Sequence, residues 1–466
     1  MIHNTINNYI IDYDLALNIG IKVLEEHEIF PIQQQDLFIL VATAKKEQNE
    51  LLLTSLFKTP IKFLYVDNKV IQFQIQNFDI QYEIFLLSNQ ALNYSMENNT
   101  DNSYMFQTTD KIILFAISLN ASDIHFESLN DSIVIRFRIF GILYILFTFK
   151  LDMYPLFSSI LKLFANLDIS QNRLPQNGRF SKTFANNKEF DFRISTMPTI
   201  NGESIVLRIL DNQNSKIMLK DIGFDDDAFK VLDKAIHSHQ GMILVTGPTG
   251  SGKTTTLYSI LNTLNTASKK ILTIEDPIEY NLAGIQQVNI NNDIKLDYEI
   301  VLKNILRQDP DVIMIGEIRD EVALKIAIQA SLTGHLVLAT LHTNNAPETI
   351  NRLLDLDAKA FLIASTLKAI VSQRLVRKLC DKCKKQNSKP VGCQGCNYSG
   401  YTDRIIVSEI LKIDEKVSQY IAKGQTIQDI VTYAKTQNYT TIEENTLEKV
   451  KSGLTSMEEF YTKVQM

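Results

Sequence analysis

Cysteine and proline are scarce in this sequence, and neither sign of charge dominates it. The chain has only four cysteines, all within residues 380–396, which argues against a secreted protein held by distributed disulfides. Ten prolines in 466 residues exclude a proline-rich, low-complexity chain. The net charge of −6 provides no overall positive field to recruit nucleic acid, so any such binding has to be local.

Long apolar runs and targeting segments are also missing. The longest run, "FGILYILFTF" at 140–149, has about half of the ~20 residues that a membrane-spanning helix needs, and we predict a buried strand there. The amino terminus has no basic region followed by an apolar core, so no signal peptide is expected. With 45% hydrophobic and 21% charged residues, the chain is typical of a globular protein. We expect it to be cytoplasmic, with peripheral membrane association left open.

The length predicts several domains, because 466 residues exceed what one core organises. Short strand and helix patterns predict a small α/β domain over 1–95 and a second over 106–212. The Asn-rich stretch 88–105 is the best linker candidate, and 211–224 is a second linker or turn. The remainder, 222–466, forms the third predicted domain, which includes the cysteine segment 380–396 and the tail 411–466.

From Gly241 onward, the apolar segments "MILVT", "ILTI", "VIMI" and "LVLAT" alternate with helical patterns. Strands that are apolar on both faces and separated by helices indicate a buried, mainly parallel sheet. The tail, 411–466, is predicted to be mostly helical. The fold class expected here is therefore α/β.

The stretch "GPTGSGKT", residues 247–254, matches the phosphate-binding pattern G-x-x-x-x-G-K-[ST] and lies between a predicted strand and helix. Its backbone N–H groups and the helix dipole favour phosphate. Lys253 is expected to reach the β- and γ-phosphates of ATP, and Thr254 to bind Mg²⁺. The predicted nucleotide-binding residues are Gly247, Pro248, Thr249, Gly250, Ser251, Gly252, Lys253, Thr254 and Thr255.

Acidic residues follow two of the predicted sheet strands. Glu317 follows the predicted strand Val312–Ile315 in "DPDVIMIGEIRD" and is predicted to act on a Mg²⁺-bound water. The segment "TIEDPIEY" supplies Glu275, Asp276 and Glu279, one of which is the expected general base. The alternative is that these carboxylates only cap a helix.

Two histidines, His335 and His342, stand at the two ends of one predicted strand in "GHLVLATLHT". Both are candidates for purely structural roles. His342, at the carboxyl end of the strand, is also a candidate sensor of the γ-phosphate.

The four cysteines form two Cys-x-x-Cys pairs that are nine residues apart, which predicts a structural zinc site of Cys380, Cys383, Cys393 and Cys396. Four thiolates fill a tetrahedral ion, so zinc catalysis is not expected. A redox pair and an unmetallated thiol hairpin are the alternatives. Lysines around the cysteines form a local basic patch, which serves either a nucleic acid, lipid or acidic partner or simply solubility.

The order of motifs carries a resemblance. "ASDIHFE", "RLPQNGR", "GPTGSGKTT", "TIEDPIEY", "LRQDPDVIMIGEIRD" and "TGHLVLATLHTN" precede the cysteines. This arrangement closely resembles the type II secretion and type IV pilus assembly ATPases over about residues 110–410, and more loosely over 20–95. The resemblance implies a RecA-like P-loop ATPase domain preceded by α/β amino-terminal domains on a flexible linker, a small zinc-binding insertion, and a hexameric ring.

The same resemblance assigns roles to individual residues. Glu279 matches the catalytic glutamate of the family's Asp box, and Glu317 matches its Walker B glutamate. His335 and His342 lie in its His box. We count these four residues, with Lys253, among the expected catalytic residues.

Two arginines complete the expected catalytic set. Arg193 in "DFRIST" and Arg208 in "VLRIL" match amino-domain arginines that reach a nucleotide bound at the ring interface. A guanidinium on a mobile domain would stabilise charge on the γ-phosphate and make domain position depend on nucleotide state. The alternative is that both are outward-facing strand charges.

The chain departs from the family pattern in three places. Phe140 stands where the family usually has Asp before a glycine, the gap between the cysteine pairs is short, and residues 1–95 are divergent. In relatives this first region docks the motor on a membrane partner. The four-cysteine module marks assembly and secretion motors, and it is generally missing from retraction motors.

The resulting functional prediction is a cytoplasmic homo-hexameric ATPase, peripheral on the inner membrane. It hydrolyses ATP with Mg²⁺ to assemble pilins or pseudopilins for type II secretion, pilus extension or DNA uptake. Its expected partners are an inner-membrane platform protein and a membrane anchor subunit with a cytoplasmic domain, and no direct nucleic-acid binding is expected. The alternatives are a retraction or conjugative-transfer ATPase, a scaffold that binds nucleotide without hydrolysing it, and a DNA translocase.

Overall fold

The computed structural model describes residues 5–96, 102–184, 188–210, 217–291, 294–385 and 388–465. The chain forms two compact units. The amino-terminal unit comprises Met1–Asp211, Cys380–Lys385 and Pro390–Thr402, and the carboxy-terminal unit comprises Asn212–Leu379, Gln386–Lys389 and Asp403–Met466.

In residues 5–96, the first part of the amino-terminal unit is a three-stranded sheet with five α-helices. In this sheet β1 pairs antiparallel with β2, and β2 pairs parallel with β3. The elements are α1 (Tyr13–Ile19), α2 (Ile21–His27), β1 (Ile29–Gln35), β2 (Phe38–Thr43), α3 (Glu50–Phe57), β3 (Ile61–Tyr65), α4 (Asn68–Gln76) and α5 (Phe78–Met96).

The second part is a six-stranded antiparallel sheet with the order β6-β5-β4-β9-β8-β7. Alternate residues of β8, Phe190, Phe192 and Ile194, are buried, as expected for a sheet with one face against the core. The elements are α6 (Ser103–Ser118), β4 (Ala121–Ser128), β5 (Ser132–Ile139), β6 (Ile142–Lys150), α7 (Tyr154–Phe164), β7 (Gln176–Thr183), β8 (Glu189–Thr199) and β9 (Gly202–Leu210).

The stretch 88–105 differs from the predicted linker. Helix α5 continues to Met96, and α6 begins at Ser103. The helix extends because Ile84, Ser88 and Ala91 recur at helical spacing and are buried together. The most Asn-rich residues, 97–101, lie outside the described residues, as do 211–216 of the second predicted linker.

A buried ion pair fastens α7 to the sheet. Lys162 Nζ lies 2.7 Å from Glu203 Oε2, and the two side chains are 1% and 2% exposed. Lys162 also donates to the Gln171 carbonyl at 2.7 Å, and the Ser158 hydroxyl donates to Glu203 Oε2 at 3.3 Å. Because both charges are removed from water, each depends on the other for its stabilisation.

Phe140 occupies a two-residue hairpin turn between β5 and β6. Its φ is +48° and that of Gly141 is +86°, which define a type I′ turn closed by the pair Ile139 and Ile142. An L-residue in the left-handed region costs about 1–2 kcal/mol, and a bulky aromatic has no local hydrogen bond to offset that cost.

We therefore expect Phe140→Asn to stabilise the protein by about 1 kcal/mol, because Asn tolerates this conformation. Thermal denaturation of the purified chain would measure the change. Phe140→Ala is the control, since alanine removes the ring but keeps the unfavourable φ. Equal stability of the Asn and Ala variants would contradict the prediction.

The carboxy-terminal unit contains one seven-stranded sheet and ten helices within its described residues. The elements are α8 (Asp226–Ile236), β10 (Gly241–Thr246), α9 (Lys253–Leu264), β11 (Ile271–Glu275), β12 (Gln286–Asn289), α10 (Tyr298–Ile305), β13 (Val312–Ile315), α11 (Glu321–Leu332), β14 (Leu336–Leu341), α12 (Ala346–Asp355), α13 (Ala360–Thr366), β15 (Leu367–Leu379), β16 (Tyr401–Lys412), α14 (Glu415–Ala422), α15 (Ile427–Lys435), α16 (Ile442–Lys451) and α17 (Met457–Lys463).

The sheet has the order β12-β11-β13-β14-β10-β15-β16, and the strands from β12 to β15 run parallel. Every residue of β10, β13 and β14 is buried. Successive residues serve opposite faces, since Leu244 joins the core on the side of α11, whereas Ile243 joins the core on the side of α9. The expected α/β fold is confirmed. Among the described residues, no helix is both long enough and apolar enough to cross a bilayer.

Candidate nucleotide site and cysteine cluster

The glycine-rich loop joins β10 to α9, as the sequence predicted. A Cβ on Gly247, whose φ is +141°, would lie 2.4 Å from the Gln373 carbonyl oxygen, so only glycine fits. Pro248, Thr249 and Gly250 are exposed at the tip of the loop. The loop therefore presents its backbone to solvent at the amino end of a twelve-residue helix.

Lys253 folds back over this loop. Its ammonium group donates to the carbonyls of Gly247 at 2.8 Å and Pro248 at 3.1 Å. Burial lowers the pKa of Lys253 to about 8, and the charge of Glu317 opposes that shift. Thr254 follows it and is exposed.

Nucleotide affinity should consequently fall as the pH rises above about 8, because the free protein loses the Lys253 charge there. A bound phosphate raises the pKa of Lys253 back towards its ordinary value, so nucleotide binding at high pH requires uptake of a proton. The Kd should therefore weaken about tenfold between pH 8 and 9.5. A fluorescent ADP titration at each pH would measure this. Lys253→Arg keeps its charge over this range and should show a flat profile. A flat profile for the unchanged chain would refute the prediction.

Gln373 on β15 supports the glycine-rich loop through hydrogen bonds, and the sequence patterns did not identify it. Its side chain is fully buried, donates to the Ser251 carbonyl at 2.8 Å and accepts from the Thr256 hydroxyl at 2.9 Å. Arg374 follows, and donates to the Asn344 carbonyl at 2.7 Å. No local motif marks Gln373, because its partners lie 122 and 117 residues away in the chain.

An arginine side chain links Glu317 to Asp276 of the Asp box, the segment "TIEDPIEY". Arg319 Nε donates to Glu317 Oε2 at 3.0 Å, and its Nη1 lies 3.5 Å from Asp276 Oδ2. His342 Nε2 lies 3.5 Å from Glu317 Oε1. Arg319 was not singled out from the sequence; its position two residues after Glu317, beyond the end of β13, is the signal that could have found it.

The three Asp-box carboxylates have different surroundings. Glu275 is 4% exposed and accepts hydrogen bonds from the hydroxyl groups of Tyr258 and Thr273 and from the Gln287 amide. These bonds make Glu275 part of the framework. The Glu279 backbone N–H donates to the Tyr258 hydroxyl at 3.3 Å, so the same tyrosine positions the loop that carries Glu279.

The structure separates the two histidines. His342 follows β14 at the edge of the sheet that holds the glycine-rich loop and Glu317. His335 precedes β14 at the opposite end, and its Nδ1 lies 2.9 Å from the Ala330 carbonyl and 3.1 Å from the Thr333 hydroxyl. His335 is therefore not brought together with the loop of its own unit.

Arg193 and Arg208 belong to the amino-terminal unit. They are direct cross-strand partners on β8 and β9. The Arg208 side chain is 57% exposed, and its Nε donates to Asp123 Oδ1 at 2.9 Å. The structure thus brings the two arginines together.

The four cysteines are also brought together. Their sulfur atoms all lie within 4.8 Å of one another. Three of the Sγ–Sγ distances, Cys380–Cys393, Cys383–Cys396 and Cys393–Cys396, are 3.9, 3.8 and 3.9 Å. Four sulfurs about 2.3 Å from a tetrahedral ion are about 3.8 Å apart, so the cluster fits Zn²⁺.

Backbone amides support the ligand set. The N–H groups of Gly392 and Gly400 donate to the sulfurs of Cys383 and Cys396, both at 3.3 Å. Donors to sulfur favour the thiolate that a metal binds.

Comparison with known proteins identifies the relatives of this chain. The sequence pattern of the family described as "Type II/IV secretion system protein" matches residues 98–462. The type IV pilus assembly ATPase PilB of Acinetobacter baylyi is 34% identical over 477 aligned residues, which cover 94% of this chain and 82% of that protein. The type II secretion system protein E of Pseudomonas aeruginosa is 40% identical, covering 77% of this chain and 75% of that one.

Solved structures share the fold. The pilus retraction motor PilT, determined with bound ADP, has a TM-score of 0.56 at 29% identity, covering 75% of this chain and 95% of that chain. The Legionella pneumophila ATPase DotB has a TM-score of 0.61 at 23% identity and covers 76% of this chain and 94% of that chain. The second likeness concerns the fold alone.

The positions of the glycine-rich loop and the acidic segments define the class of protein. A phosphate-binding loop and two acidic segments that meet where parallel strands end make this a P-loop nucleoside triphosphatase. Within that class, the chain belongs to the Type II/IV secretion system protein family. It is a secretion or pilus assembly ATPase.

Proposed function

We propose that this chain works as a homo-hexameric ring that hydrolyses ATP with Mg²⁺ to assemble pilins or pseudopilins. The observation that carries the proposal is the convergence of Lys253, Glu317 and the Glu279 loop at one edge of the sheet, in a chain of this family. Type II secretion, pilus extension and DNA uptake are the processes such a motor would serve.

In the proposed reaction the loop residues 247–255 hold the triphosphate and Thr254 binds Mg²⁺. Glu317 would hold a water of the Mg²⁺ ion, which would neutralise charge on the phosphates. Glu279 accepts the proton of the attacking water as the water oxygen bonds to the γ-phosphorus, the bond from that phosphorus to the β–γ bridging oxygen breaks, and ADP leaves. Arg319, which pairs with Glu317 and Asp276, would have to move for Glu317 to take this role. PilT was determined with bound ADP, which supports nucleotide binding by this chain.

We assign the nucleotide site to the interface between neighbouring subunits, with Arg193 and Arg208 supplied by an adjacent amino-terminal region. Two guanidinium groups side by side would balance the γ-phosphate charge. The amino-terminal part then divides into a docking domain at 1–95 and an arginine-bearing domain at 106–212. An ATPase domain follows at 222–466, and the cysteine segment is an insertion in its sequence that groups with the amino-terminal unit.

Subunit mixing tests this interface. Arg193→Ala and Lys253→Ala variants should each be inactive alone, and mixed rings should regain phosphate release, because some interfaces then combine an intact lysine with an intact arginine. An arginine that acts within its own chain would leave every site of a mixed ring defective. An inactive mixture of correctly sized hexamers would therefore overturn the assignment.

The assembly role is proposed over retraction because the two named relatives are a pilus assembly ATPase and a secretion protein, and because the cysteine cluster is present. In cells that carry the gene, replacing it with the Lys253→Ala form should remove surface filaments or block secretion. A retraction motor inactivated in the same way would instead leave filaments in excess. Excess filaments would therefore overturn the assembly role.

We place the motor on the cytoplasmic face of the inner membrane, bound to a platform protein and to a membrane anchor subunit with a cytoplasmic domain. We also propose that the cysteine cluster holds one structural Zn²⁺ ion per chain, which the sulfur spacing supports. Metal analysis of the purified protein would test that stoichiometry.

A further inference from the structure

The cysteine hairpin, residues 380–385 and 390–402, belongs to the amino-terminal unit, although the chain enters it after β15. Its contacts are with α4. The Gln76 amide donates to the Gln394 carbonyl at 3.2 Å and to Asn397 Oδ1 at 3.0 Å. The hairpin thus has a defined binding surface within its own unit.

The atoms that receive Gln76 are part of the metal-ligand loop itself. Gln394 stands between Cys393 and Cys396, and Asn397 directly follows Cys396. A metal held by both cysteines would fix the carbonyl and the amide that face α4. Metal binding would therefore order the cysteine ligands and, at the same time, position the two oxygen atoms that accept from Gln76.

Tyr398 attaches the hairpin to the amino-terminal unit through its ring, although its backbone conformation is strained. Its φ is +57°, and that of Asn397 is +47°, so two successive non-glycine residues are left-handed. The Tyr398 ring packs against the buried cluster that Phe73 of α4 also joins, and its hydroxyl lies 3.5 Å from Gln72 Oε1. A strained aromatic persists when the surrounding contacts hold it in place.

The hairpin has almost no core of its own. In its described residues the buried side chains are those of Cys380, Cys396 and Tyr401, and two of these three are metal ligands. A segment with so little apolar burial does not fold on that basis alone and depends on a metal or a disulfide.

We propose that the hairpin is a metal-dependent clasp on the side of α4 that carries Gln72 and Gln76, so that zinc occupancy determines whether this side is covered. Metal binding orders the ligand loop, which then receives Gln76 and seats Tyr398. Loss of the metal releases this loop and leaves α4 with fewer contacts. The inference rests on the zinc assignment made above, and it adds a role for that ion in the amino-terminal unit.

Hydrogen exchange of the full chain, read by mass spectrometry, tests the clasp. Treatment with a zinc chelator should make peptides covering Asn68–Gln76 exchange about tenfold faster than in the zinc-loaded protein. Gln76→Ala should speed exchange of α4 similarly while the chain keeps one zinc, because this change removes the docking donor and leaves the ligands intact.

Gln394→Ala is the matched control. Its side chain is exposed and its contact uses the backbone carbonyl, so zinc content and α4 exchange should both stay unchanged. If chelation removes zinc while α4 exchange remains the same, the clasp is wrong and the zinc assignment stands. If the isolated protein contains no zinc and α4 is protected, the zinc assignment itself is overturned, and metal control of α4 with it.

Discussion

Lys253→Ala should lower steady-state ATP hydrolysis at least about a hundredfold. The loop holds this ammonium group at its mouth, 2.8 Å from the Gly247 carbonyl, where the β- and γ-phosphates are expected. Removing one pre-organised donor that faces developing negative charge costs about 10²–10³ in turnover. Phosphate release by the purified oligomer, at saturating ATP and Mg²⁺, would measure the loss.

The control for this change is Lys423→Ala, which removes an exposed lysine from the carboxyl end of α14 in the same unit. It should hydrolyse ATP normally. Thermal melting should show that Lys253→Ala folds, since its loop contacts are with its own backbone carbonyls. Hydrolysis that survives in the purified Lys253→Ala oligomer would contradict the site.

Lys162→Met should destabilise the amino-terminal unit by about 3–5 kcal/mol, because it leaves the Glu203 carboxylate buried without its cation. Methionine keeps most of the side-chain volume, so the loss reports the missing charge more than a cavity. Calorimetry of the full chain should show an earlier unfolding transition. The Lys162→Met, Glu203→Met double variant should recover much of the loss, because no lone charge remains.

Lys111→Met is the control that separates the effect of burial from that of the ion-pair distance. Lys111 Nζ also lies 2.7 Å from its partner, Glu83 Oε1, but these side chains are 35% and 47% exposed. An exposed pair at the same distance contributes about 1 kcal/mol or less. Equal losses for Lys111→Met and Lys162→Met would show that burial is not what makes the Lys162 pair strong.

The sequence was most informative where the physics is local. Strands apolar on both faces predicted the parallel sheet, and residues 247–254 predicted the phosphate loop, because both signals lie within short segments. The cysteine spacing likewise predicted a cluster that the fold assembles. The roles proposed for Glu279, Arg193 and the other catalytic candidates stay predictions until hydrolysis is measured.

What the sequence could not supply depends on contacts between distant residues. Gln373 supports the loop from 122 residues away, and no pattern around it indicates that partner. The linker prediction at 88–105 relied on the Asn content of this stretch. It did not take account of the buried residues at helical spacing that extend α5 to Met96. The cysteine hairpin lies within the predicted third domain, 222–466, in sequence, whereas its spatial neighbours belong to the amino-terminal unit.

The grouping of the hairpin with α4 has a consequence for synthesis on the ribosome. Gln76 and Asn397 are 321 residues apart, and at about 5–20 residues per second roughly 15–65 s separate their appearance. Throughout that interval the newly made amino-terminal unit lacks one of its own parts. A chain that terminates between the end of β9 and Cys393 would leave the Gln76 side of α4 without the hairpin permanently.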